Sequence, residues 1–154
     1  MRAAGIAVAG ASPGRPAIRI VVVDDASGSA VIVKAEEITS AEVSTVEQLF
    51  QAGRAIESRI TGLAVSRVVV REAETQYPAR TDGQRRRLKM EGAVVAAARA
   101  AVADTRLGAG SDFGQWRGMS KAAIDADGEA LVSAAGEHSK FVEAAAAALV
   151  GLAL

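Results

Sequence analysis

The chain has 154 residues, of which 50% are hydrophobic and 23% charged, and its mean hydropathy is +0.20. That excludes a disordered chain, which would be poor in apolar residues and rich in net charge. Lys and Arg number 18 and so do Asp and Glu, so no overall field draws the molecule to nucleic acid or to an anionic membrane. Cysteine is absent, which excludes a disulfide-stapled scaffold.

The apolar half is unusual in kind. Aromatic residues make up 3% and alanine about a quarter of the chain. Small side chains each bury little area, at roughly 25 cal/mol per Å², but they let backbones approach closely. The expected core is Val, Ile and Ala with tightly packed helices, in one domain spanning 1–154.

Met1-Arg2 followed by apolar Ala3 to Ala11 has the outline of a short signal peptide with an Ala-x-Ala end, but it reads better as a strand over Ala4–Gly10. Ala11 to Pro16 carries the Pro and Gly of a turn. Ala17–Asp24 is β-branched and predicts a second strand. Asp24 to Gly28 turns the chain again, and Ser29–Glu36 predicts a third. Such short connections favour antiparallel hairpins.

The period then changes. Val46, Leu49, Phe50, Ile56 and Ile60 follow helical spacing. Ser44 with Glu47 three residues later predicts a capping box, and Gly62 a C-terminal stop. Arg67–Glu72, with Val68-Val69-Val70 at its centre, predicts a buried strand. A second helix is expected over Gly83–Ala103 and a short fifth strand over Asp104–Leu107. Gly108–Gly118 reads as a loop, with a helix starting near Ser120 and a stretch over Asp125–Gly136 that is irregular or weakly helical. A last helix starts near Ser139, with Phe141, Ala145, Ala148, Leu149 and Leu152 as its apolar face. Ala144–Leu154 is apolar without a break, but shorter than the ~20 residues of a membrane span. A packed helix, a cytoplasmic protein and no membrane association are expected.

Three hairpin strands followed by alternating helices and strands make one mixed five-stranded α/β sheet, with strands 1–3 antiparallel and strands 4–5 parallel, flanked by helices. That is the outline of the ribonuclease H-like fold. Gly5-Ile6-Ala7 on the first strand, Val68-Val69-Val70-Arg71-Glu72 on the fourth, and Lys89-Met90-Glu91-Gly92-Ala93 on the next helix resemble a small RuvC-like protein. They are similar to the short bacterial proteins grouped as DUF3010, a domain of unknown function. The resemblance implies a carboxylate cluster holding two Mg²⁺ or Mn²⁺ ions that cleave a phosphodiester. It places the first aspartate directly after Gly-Ile, where this chain has Ala7. It places a glutamate at the fourth strand, present as Glu72, and acidic residues at the last helix, where Glu137 and Glu143 stand. The implied metal ligands are therefore Glu72 and Glu143.

Glu72 lies at the C-terminal end of a parallel-type strand, where open α/β sheets bind ligands. Glu91 falls within the helical stripe Leu88, Val95, Ala98 and Val102. A carboxylate on an apolar face needs a partner or turns neutral. Arg71 or Lys89 are the expected partners, and Glu72 with Glu91 the expected catalytic pair. The bland alternatives are a solvated strand-end acid and a structural ion pair.

Arg80, Arg85, Arg86, Arg87 and Lys89, with Arg71 nearby, form a basic cluster of the kind that contacts phosphates. Tyr77 alone is available for base stacking. A solvated helix entry balanced by Glu72, Glu74, Asp82 and Glu91 is the alternative. Phe113 and Trp116 read as residues pinning their loop to the body, and His138 as a cap. Gly10 to Gly14 is a hairpin turn and no phosphate loop.

Three functions follow in order. The first is a RuvC-like domain without its full metal site that binds nucleic acid or a protein. A homodimer would form through the small-residue helices Gly92–Ala103 and Ala144–Leu154. The second is a Mg- or Mn-dependent hydrolase built on Glu72, Glu91 and Glu143. The third is a structural module of a larger assembly.

Overall fold

The β-branched and Ala-rich first third forms three strands: β1 (Arg2–Ala11), β2 (Arg15–Asp24) and β3 (Val31–Thr39). The computed structural model describes residues 1–11, 15–42, 44–74 and 81–154. The centre of the β1–β2 turn, Tyr77 and Arg80 therefore lie outside the described residues. After β3 come α1 (Thr45–Gly62), β4 (Arg67–Arg71), α2 (Asp82–Ala101), β5 (Thr105–Gly108), α3 (Gly110–Arg117), α4 (Lys121–Ala134), a 3-10 turn (Ser139–Phe141) and α5 (Val142–Ala153).

The strands form one sheet in the order β3-β2-β1-β4-β5. β1 pairs antiparallel with β2, and β2 with β3. β1 pairs parallel with β4, and β4 with β5. The mixed five-stranded sheet is therefore the one expected from the order of elements.

Strand alternation sorts the core into two faces. Ile6, Val8, Ile18, Ile20, Val22, Val68 and Val70 point to the side covered by α1 and α2, where Ile56, Ile60, Met90, Val94 and Ala98 meet them. Ala7, Val21 and Val23 point to the other side, against Ala144, Ala145 and Ala148 of α5. Val69 packs there with Phe113, Ile124, Ala146, Ala147 and Val150. The five alanines of α5 have a packing purpose. A Cβ on Gly5 would fall 1.9 Å from the Ala144 carbonyl oxygen and 2.3 Å from the Ala148 nitrogen. Helix backbone thus lies directly on strand backbone, which only glycine facing alanine permits.

Several local expectations are corrected. The buried face of α1 is Gln48, Ala52, Ile56 and Ile60, while Val46 and Phe50 are 77% and 56% exposed. Spacing alone could not rotate the stripe correctly, because Ala52 and Gln48 do not look apolar enough to anchor it. Ser44 is the N-cap of α1 without a side-chain cap bond. The chain leaves that helix through Ala64 at φ 51, not through Gly62. The genuine capping box opens α2, where Thr81 and Gln84 bond reciprocally. The Gly108–Gly118 stretch is largely helical, because Asp112 accepts from the Ala109 N–H and closes the first turn of α3. Of the two readings of Asp125–Gly136, the helical one holds as far as Ala134: Ile124, Gly128 and Val132 are the buried face of a regular α4. Gly128 sits there because a Cβ would lie 2.8 Å from the Val142 carbonyl oxygen. Of the α5 residues expected at a dimer surface, Ala144 to Ala148 are fully buried within the chain.

Candidate active site at the end of strand 4

Ala7 on β1 is the register partner of Arg71 on β4. Arg71 ends a strand whose previous three residues are fully buried. By alternation its side chain shares the α5 side with Val69. There it is only 5% exposed. Its Nη1 donates to Oδ1 of Asp125 at 2.6 Å, and Nη2 to Oδ2 at 3.4 Å. The guanidinium also lies 5.9 Å from the centre of the Phe113 ring. Burial opposes its charge. The Asp125 hydrogen bonds, with the negative fields of Asp125, Glu143 and Glu74, outweigh burial and hold its pKa above the ordinary arginine value. Arg71 was expected among phosphate contacts; it is instead an internal cation.

The other side of the same strand end holds Glu91. Its α2 face is Met90, Glu91, Val94 and Ala98, a stripe turned from the expected Leu88, Val95 and Val102. Glu91 is 4% exposed, as its place among apolar residues predicted. Its Oε1 accepts from the Ala73 N–H at 2.9 Å. The partner cation is Arg87, 3.6 Å away one helical turn earlier, not Arg71 or Lys89. Burial pushes the Glu91 carboxyl up from its ordinary value, and the charges of Glu72 and Glu143 push the same way. The Ala73 N–H and Arg87 only partly offset this.

Glu72, adjacent to Ala73, is exposed, with its N–H bonded to the Gly108 carbonyl at 2.9 Å. Glu72 and Glu91 thus share one rim of the sheet, and the field of Glu143 reaches Glu91 as well. Among the described residues, no three His, Cys, Asp or Glu side chains are grouped so as to hold a metal ion. Arg85, Arg86 and Lys89 are exposed along the first turns of α2. Arg87 is half-buried on Glu91. Arg80 lies outside the described residues. His138 is exposed and its Nδ1 accepts from the Lys140 N–H, the capping role expected of it. Phe113 is fully buried and stacks obliquely on Trp116 at 5.6 Å.

Sequence reasoning missed Asp125. Its signal was there, one residue after Ile124 in a run that alternates apolar and small residues at helical spacing. A weak helical pattern there does not show which face would turn to the sheet. The apolar groove of about 380 Å³ between β2, β3 and α1, lined by Ile18, Ile38, Ala52 and Met90, is elsewhere and lacks the charged groups of this site.

The raised Glu91 carboxyl has a consequence for stability. A carboxyl whose folded pKa lies above its unfolded one contributes stability that is present below the unfolded value and lost as pH rises through the folded one. Glu91→Gln keeps an acceptor for the Ala73 N–H and cannot ionise. Denaturant melts from below pH 4.5 to neutrality are therefore expected to show the wild type losing ground to Glu91→Gln as pH rises. A wild type that gains ground over that range would mean the ionised form is the better-held one.

No family model matches the chain, and no curated protein does. Among solved structures, it is similar to Thermus thermophilus RuvC in complex with a Holliday junction substrate. That match has a TM-score of 0.71 and 18% identity, and covers 99% of this chain and 93% of the other. A second Thermus thermophilus RuvC structure matches with a TM-score of 0.69 and 18% identity, covering 99% and 94%. No helix among the described residues is long and apolar enough to cross a membrane. The sheet order, the helices on both faces and these two likenesses together identify the fold as ribonuclease H-like, of the RuvC type.

Proposed function

We propose that the chain is a RuvC-like domain that binds nucleic acid without cutting it. The observation that carries this reading is the pairing of Ala7 with Arg71 at the strand ends. Two-metal phosphodiester cleavage needs carboxylate oxygens around both cations. Ala7 offers a methyl group, and Arg71 already brings a full positive charge to Asp125. A divalent ion drawn to Asp125 would meet that guanidinium. The residues present do not suit a two-cation centre, and no cleavage step follows from them.

The binding surface is the exposed run Arg85, Arg86 and Lys89 on α2. The Thermus RuvC structure holds a Holliday junction, which makes four-way DNA the first probe for this chain. Kinship with DUF3010 belongs to the same reading, through Arg71-Glu72 and Lys89-Met90-Glu91. A second copy or a protein partner would meet the outer face of α2, where Gly92, Ala96 and Ala100 are exposed.

Fluorescence anisotropy on a labelled four-way junction tests the proposal. Binding is expected to weaken steeply with salt, at a log–log slope of about 0.9 per phosphate contact, and to be indifferent to EDTA. Arg85→Ala/Arg86→Ala/Lys89→Ala should flatten that slope by about two to three units. Binding absent at low salt would end the reading. One observation favours a second reading, a divalent-metal-dependent nuclease: burial raises the Glu91 carboxyl above its ordinary value, in the direction that suits a general acid or base. Mg²⁺- or Mn²⁺-dependent cleavage abolished by Glu91→Gln would establish that reading instead.

A further inference from the structure

We propose that Glu72 is the base-reading residue of the nucleic-acid surface: its exposed carboxylate, carried on a backbone fixed from both sides, accepts a hydrogen bond from the exocyclic amino group of a cytosine. The inference deepens the binding reading and rests on it, since it names what that surface reads besides phosphate.

The chain leaving β4 is held residue by residue. The Arg71 guanidinium is bonded to Asp125 of α4. The Glu72 N–H donates to the Gly108 carbonyl at 2.9 Å, which carries the β4–β5 pairing one residue past the strand end. The Ala73 N–H donates to Glu91 Oε1 on α2, also at 2.9 Å. Lys121 Nζ, at the start of α4, lies 2.6 Å from Glu74 Oε1. Four consecutive residues are thus tied to β5, α2 and α4. The Glu72 side chain is the exception. It is exposed and makes no hydrogen bond or ion pair with another described residue.

Strand alternation puts that side chain on the α2 side of the sheet, with Val70. The next residue, Ala73, is bonded to the carboxyl that pairs with Arg87. Glu72 therefore stands beside the first turns of α2, which carry the exposed Arg85, Arg86 and Lys89. A carboxylate among phosphate contacts repels the nucleic-acid backbone. Its favourable partner there is a donor on a base edge. In the major groove cytosine offers its N4 amino group, whereas adenine sets the acceptor N7 beside its N6 amino group, which opposes a carboxylate. Direct readout also needs an acceptor held in place by its support. The ties on Arg71, Ala73 and Glu74 supply that support, and no existing partner has to be given up when Glu72 binds.

The test is selection from a pool of four-way junctions randomised in the arms beside the crossover, with the bound fraction sequenced at one fixed salt concentration. The wild type should enrich cytosine at one position by about fivefold or more, the low end for a base contact. Glu72→Gln should move that enrichment to adenine, because a glutamine amide pairs with N6 and N7 together. Glu72→Ala should lose the preference and bind all sequences more tightly, because a repelling charge has gone. The melting temperatures of the three proteins should coincide, since the side chain has no partner to lose. A wild type that binds the pool without base preference would overturn the inference and leave the binding reading standing. So would a preference that survives in Glu72→Ala. A wild type that binds no junction in the pool would end both.

Discussion

Gly5→Ala is expected to destabilise the protein by about 3 kcal/mol or more, at or beyond the upper end of ordinary overpacking. The added methyl would lie 1.9 Å from the Ala144 carbonyl oxygen and 2.3 Å from the Ala148 nitrogen. Both are helix backbone, so no rotamer change can clear the space. The strand cannot yield either, since β1 is the central strand, hydrogen-bonded to β2 and β4. Relief requires α5 to lift from the sheet, which would open Ala145, Ala148 and Val150 at once. A domain of this size has a total stability of roughly 5–15 kcal/mol, so a large part of it is at stake. Urea melts of Gly5→Ala and of Gly10→Ala form the natural pair. Gly10 has nothing within 4 Å of an added Cβ and should change little. Equal midpoints for the two variants would mean that α5 does not rest on β1 as described.

The second large effect belongs to Asp125. Asp125→Ala removes the two-point acceptor of a guanidinium that is 5% exposed. Breaking a buried pair from one side costs about 3–5 kcal/mol, because the remaining charge is left without compensation. The lower end, about 3 kcal/mol, is expected, since the Asp125 side chain keeps 35% exposure and the negative fields of Glu143 and Glu74 still favour the cation. Replacing both members by apolar residues removes the stranded charge as well. Arg71→Met/Asp125→Leu should therefore recover most of the loss. A double-mutant cycle measured by denaturant unfolding reads the coupling directly. Additive single effects would show that the two side chains do not act as a pair.

These two positions differ in how far the sequence reveals them. The five alanines of α5 announce a helix that packs closely, and the apolar run predicts its burial. That Gly5 receives the helix cannot be read from spacing. The approach is set by how α5 crosses β1, roughly 140 residues later in the chain. Asp125 and Arg71 are likewise 54 positions apart. Each looks like an ordinary surface charge until the sheet end and α4 are placed together.

The local code determined the strands, the change to helices after residue 44, the mixed sheet and the burial of Glu91, because alternation and helical spacing act over a few residues and follow from side-chain direction alone. It also located the rim that carries Glu72, since a strand's C-terminal end is defined by the strand itself. Only the tertiary structure decided which charge answers which. Arg87 took Glu91, Arg71 turned inward to Asp125, and the exposed members of the expected basic cluster were reduced, among the described residues, to Arg85, Arg86 and Lys89. The physical reason is that the energy of a charge depends on burial and on neighbours within a few ångströms. Both are properties of how distant segments pack.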